Sequence, residues 1–79
     1  MKNKTVKIIK IDVSLSRYTV MELLVPESVT IENSKVLKAI CNVGDFIEID
    51  GKLYRRVKGG FKEANEDDMA MFLTAMLGN

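Results

Sequence analysis

Apolar and polar positions nearly alternate in the first part of the chain and fall into helical spacing near its middle and at its end. Thr5 to Val13 mixes β-branched side chains with lysine in near-alternation, which predicts a strand; the Ile8-Ile9 pair breaks period two and marks either a bulge or a strand buried on both sides. Ser14-Leu15-Ser16-Arg17 reads as a turn. Tyr18 to Val25 reads as a second strand, ended by Pro26, which has no N–H for a ladder. The two make a predicted hairpin, and Val29-Thr30-Ile31 has room for a short third strand.

From Ser34 the period changes. Val36, Leu37, Ile40 and Cys41 fall on one helical stripe, with Ser34 placed to cap its start and Gly44 to end it. Val36, Lys38 and Ile40 also alternate, so an extended segment is the competing reading of 35–42; the short helix is favoured. Next, Phe46 to Val57 contains Asp50-Gly51, the two positive-φ residues of a type I′ turn. A two-residue loop there sets Ile49 opposite Lys52, Ile47 opposite Tyr54 and Asp45 opposite Arg56, with Glu48–Leu53 and Phe46–Arg55 on the other face. Gly59-Gly60 is expected to release the chain from the sheet. Asn65 then caps a terminal helix whose first turn, Glu66-Asp67-Asp68, sets negative charge against the positive helix end, and Gly78 is suited to stop it.

The predicted order is three strands, a short helix, two strands and a helix. The expected architecture is α+β: a small, mainly antiparallel sheet or partial barrel of about five short strands in two hairpins, with a short central and a C-terminal helix. At 79 residues a single domain, 1–79, is the natural count. Such a chain hides roughly two thirds of its unfolded surface, so a ligand is expected in a surface groove rather than a large enclosed cavity.

Composition narrows the chemistry. The chain has no His, so the usual general base near neutral pH, His-dependent triads and HExxH zinc sites are gone. The single thiol, Cys41, has no CxxC partner and reads as a buried structural residue in a reducing, cytoplasmic setting. Zinc or iron–sulfur ligation within one chain lacks ligands. The Asp45–Gly51 stretch fails as a calcium loop because Phe46 would occupy the first ligand position. Glu66, Asp67 and Asp68 diverge around a helix and already have a role at its positive end. The glycines have the wrong spacing for a P-loop or GxGxxG. The sequence therefore assigns no catalytic residue, metal or cofactor, and the expectation is a protein that is not an enzyme. Lys7 and Lys10 interrupt any signal-peptide core, and the longest apolar stretch, Met69 to Leu77, is far too short to span a bilayer, so no membrane partner is expected.

Two surfaces remain. Lys52, Arg56 and Lys58 follow one face of the second hairpin with Tyr54 between them, the cationic track and aromatic platform with which small β-domains bind single-stranded nucleic acid. Against this, Asp45 is expected to neutralise Arg56, the net charge is only +1, and lysines alternating on a solvated strand also blunt edge-to-edge aggregation. The sharper anomaly is the terminal helix. Met69, Phe72, Leu73, Met76 and Leu77 form a core-facing stripe, yet no charge appears after Asp68, so the opposite face carries Ala70, Met71, Thr74 and Ala75. A helix apolar nearly all round asks for a second partner. The leading expectation is a protein-interaction module, an adaptor, assembly factor or inhibitor, that forms a homo-oligomer (a dimer first) or docks on a larger protein through Met71, Phe72, Ala75 and Met76. The alternative is nucleic-acid binding through Lys52, Tyr54, Arg56 and Lys58. Chains of this size that block a larger host protein are often carried by phages and mobile elements, a consideration of size and not of any motif.

Overall fold

The computed structural model describes residues 2–77; within the last helix the side chains of 71–73 and 75–77 are outside the described set. Seven elements follow one another: β1 (Asn3–Asp12), β2 (Arg17–Pro26), α1 (Lys35–Ile40), β3 (Phe46–Ile49), β4 (Lys52–Val57), β5 (Gly60–Ala64) and α2 (Glu66–Leu77). The strands form one open antiparallel sheet in the order β2-β1-β3-β4-β5. The expected α+β class holds, and the sheet does not close into a barrel.

The Ile8-Ile9 pair is explained by burial on both sides. β1 pairs with β2 without interruption from Asn3↔Pro26 to Asp12↔Arg17, so there is no bulge. Ile8 points into one cluster with Val6, Val25, Leu37, Cys41, Ile47 and Ile49, while Ile9 points into another with Phe46 and Leu53. The first cluster lies under α1 and the second receives Met69 of α2. A strand in the middle of a two-faced sheet reads as a continuous apolar run at that point, because neither face sees water.

The second hairpin has the register its turn demands. Asp50 and Gly51 take φ of 54° and 74°, and Phe46–Ile49 pairs with Lys52–Arg55 as the two-residue loop requires. Asp45 and Arg56 extend the pairing, Arg56 N donating to Asp45 O at 2.8 Å. α1 is a helix, with the Ser34 hydroxyl accepting from Leu37 N at 3.1 Å. Asn65 caps α2 in the same way, its Oδ1 accepting from Asp68 N at 2.7 Å.

Three expectations are corrected. Val29-Thr30-Ile31 is not a strand: it belongs to the loop before α1, and Val29 and Ile31 pack half-buried on the α1-side cluster. Gly59-Gly60 does not release the chain, because Lys58-Gly59 makes another two-residue turn, with Gly59 at φ 87°, and Gly60 opens β5 opposite Val57. Gly44 does not end α1, which stops at Ile40 with Cys41 as its C-cap. Gly78 lies outside the described residues.

Candidate functional site

The strand order decides which surface is open. β2 and β3 are both antiparallel to β1 and lie on either side of it, so the chain leaves β2, crosses one face of the sheet through α1 and returns as β3. That crossover places the lysine-rich β1 inside the sheet and leaves β2 at its edge. The lysines of β1 therefore lie on an inner strand and guard no edge. Lys7 instead faces Glu22 on one side and Glu48 on the other, a three-strand row of alternating charge.

The edge strand β2 is ten residues long, carries only Arg17 and Glu22 as charges, and meets proline only at its last position. β1 contacts β3 only over Lys7–Ile9, so beyond Ile9 the β1–β2 hairpin continues with no third strand beside it. Among the described residues, Val13, Leu15, Tyr18, Val20, Met21 and Leu24 stand exposed on this hairpin, against Val36 and Val43 elsewhere. Leu24 is 67% exposed and Val20 49%. From the pairing, Tyr18, Val20 and Leu24 share the α2-side face of the sheet, opposite Ile11, Ile9 and Thr5. The hairpin turn is well fixed: the Asp12 carboxylate accepts from Ser14 Oγ at 2.7 Å and from Leu15 N at 3.2 Å. These bonds, the Ser14 hydroxyl first, lower the Asp12 pKa. Val13 and Leu15 are thus held outward on an ordered turn.

On the α2 helix, the described side chains give one half of the pattern. Met69 packs half-buried against the second cluster, whereas Ala70 and Thr74 are exposed, as the helical stripe requires. The predicted interface residues Met71, Phe72, Ala75 and Met76 lie outside the described side chains.

The basic face of the second hairpin is organised differently from its expected use. Tyr54 is half-buried against the α1-side cluster. Arg56 does not pair with Asp45: its Nε donates to Lys38 O at 3.3 Å and its Nη1 to Gly60 O at 3.0 Å and to Val57 O, with the guanidinium 5.7 Å from the Phe61 ring centre. This arginine ties the end of α1 to the β4–β5 turn. Lys52, at the start of β4, and Lys58, in the turn after it, are exposed.

The partner of Asp45 is Lys10, at 2.8 Å. Asp45 is 2% exposed, and its two oxygens also accept from Ile11 N at 2.9 Å and Asn42 N at 2.8 Å. Lys10 donates as well to Ile40 O at 2.7 Å, at the end of α1. This buried carboxylate is fully satisfied and joins β1 to the α1–β3 loop, a structural role the sequence hid because Lys10 is 35 positions away. Cys41 is buried beside it; desolvation first, and the Asp45 charge second, push its thiol pKa up and keep it protonated. A shallow cleft of about 270 Å³ by the β3–β4 turn is lined by Glu48, Lys52, Leu53, Glu63, Asn65 and Glu66. Among the described residues no group of three or more His, Cys, Asp or Glu is gathered to hold a metal ion, and no helix is long and apolar enough to cross a membrane.

No protein-family model, curated protein or solved structure matches this chain.

Proposed function

We propose that the chain is a non-enzymatic protein-interaction module that acts sterically, as an adaptor, assembly factor or inhibitor, by self-association or by docking on a larger protein. The observation that carries this reading is the concentration of exposed apolar side chains on one hairpin that ends in an open sheet edge. A monomer gains nothing from holding Tyr18, Val20 and Leu24 in water, and exposed apolar side chains concentrated on one element mark interaction sites. The uncharged outer positions of α2, expected to include Met71 and Ala75, supply a second surface in the same reading. The nucleic-acid reading has less support, since Arg56 is already bonded to backbone carbonyls and Tyr54 is half-buried against the α1-side cluster.

The test is affinity capture from the source cell with the solution mass of the purified chain measured in parallel. The expected result is either a dimer or a stoichiometric protein complex, weakened by Leu24→Lys or Met71→Glu. A monomer that captures no protein would sink the reading. Salt-dependent binding of single-stranded oligonucleotides, lost in Lys52→Ala, would favour the basic face instead.

A further inference from the structure

Resting on that reading, we infer that the partner of the β2 edge is a second copy of this chain, added antiparallel about a two-fold axis at Met21, so that two five-stranded sheets become one of ten strands. An exposed strand edge is a template for strand addition, and folded proteins blunt such edges with lysine, proline, bulges or short strands. The far edge follows this rule: β5 has five residues and presents Lys62 and Glu63 side by side. β2 follows it less: it has twice that length, no lysine and no interruption in its pairing, with Arg17 and Glu22 its only charges and Pro26 at its last position.

The identity of the occupant follows from the sequence of the strand. For an antiparallel strand paired with itself about a two-fold axis normal to the sheet, each residue faces its mirror position across the centre, and both faces of the sheet are preserved. An axis at Met21 sets Arg17 to Val25 against Val25 to Arg17 of the second copy. This uses the whole strand between Ser16, whose φ of 50° ends the turn, and Pro26, which cannot donate. Met21 then faces Met21, Tyr18 faces Leu24, Thr19 faces Leu23 and Val20 faces Glu22, while Arg17 falls opposite Val25. No like charges fall directly opposite, and the two Glu22 side chains, diagonal neighbours on one face, each lie beside Lys7 of β1. Moving the axis to Glu22 would set two carboxylates against each other, and moving it to Val20 would leave Leu24 and Val25 beyond the two-stranded ladder. Such a ladder supplies on the order of nine main-chain hydrogen bonds, comparable to the roughly ten of a typical specific interface. On the α2-side face it brings Tyr18 of each copy against Leu24 of the other, with the two Val20–Glu22 pairs between them.

Sedimentation equilibrium and amide hydrogen exchange test the proposal. The expected wild type has twice the chain mass, with the outward-facing amides of β2 protected. Met21→Lys places two ammonium groups against each other at the axis and is expected to weaken the dimer on the order of 100-fold, removing that protection. Val36→Lys, at an exposed position on α1, leaves the dimer intact. As a check that does not depend on repulsion, Met21→Cys exposed to oxidised glutathione should give a disulfide-linked dimer. Two facing thiols there form one disulfide and one glutathione disulfide is reduced to two thiols, while buried Cys41 does not react. A monomeric wild type overturns the pairing. So does a dimer that survives Met21→Lys without β2 protection; if Met71→Glu breaks that dimer, the interaction-module reading stands with the helix as its interface. A monomer that also captures no protein overturns both.

Discussion

Asp45 is the buried polar side chain among the described residues. Buried at 2% exposure, it accepts from two backbone amides and from Lys10, and its partners belong to β1 and to the loop after α1. Asp45→Ala leaves the amides of Ile11 and Asn42 without acceptors and the Lys10 ammonium with only the Ile40 carbonyl. Each orphaned group costs about 1–3 kcal/mol, so the substitution is expected to cost about 3 kcal/mol or more in urea unfolding. Lys10→Met is expected to cost less, about 2 kcal/mol, since the carboxylate keeps both amide donors while losing its cation and the Ile40 carbonyl loses a donor. Equal losses in the two variants would show that the ion pair, not the pair of amides, carries the site.

At the scale of elements, the β3–β4 turn isolates backbone conformation from packing. Gly51 sits at φ 74° with nothing within 4 Å of where a Cβ would stand, so a side chain there meets only the left-handed backbone penalty. Gly51→Ala should therefore lower stability by about 1–2 kcal/mol, and Gly51→Asn should recover part of that, because Asn tolerates this region. An alanine variant as stable as wild type would rule out the positive-φ turn. This hairpin was legible in the sequence because two residues dictate both its turn and its register. β5 was not, since Gly60-Phe61-Lys62-Glu63-Ala64 is weakly apolar and follows two glycines; its strand conformation comes from the neighbouring β4 ladder. Val29-Thr30-Ile31 misled in the opposite sense, its apolar residues serving as a lid on the α1-side cluster with no strand beside them. The open edge could not be read locally at all. Lysines on β1 suggest a solvated strand, and only the long-range pairing of Lys7–Ile9 with β3 moves that strand inside and exposes β2. The helix surface, by contrast, was drawn from sequence pattern, and its key side chains Met71, Phe72, Ala75 and Met76 are not among those described.

For the whole molecule, one sheet serves two thin cores. Among the described residues, the α1 side buries seven and the α2 side three, Ile9, Phe46 and Leu53, in a body of 45 × 22 × 21 Å. A domain this small retains on the order of 5 kcal/mol of net stability, so one defect in either core is severe. Phe46→Ala, at a site 1% exposed, should cost about 3–5 kcal/mol and leave a substantial unfolded fraction at room temperature by circular dichroism. The same arithmetic makes association count. If two copies share a ladder along β2, unfolding is linked to dissociation, and each tenfold dilution removes about 1.4 kcal/mol per dimer. The urea midpoint of the wild type is then expected to fall on dilution, while that of Met21→Lys stays constant at the lower, monomeric value. The opposite pattern is equally informative: a wild-type midpoint that does not move on dilution means the two cores suffice without a partner strand, and the exposed β2 edge plays no part in holding the fold.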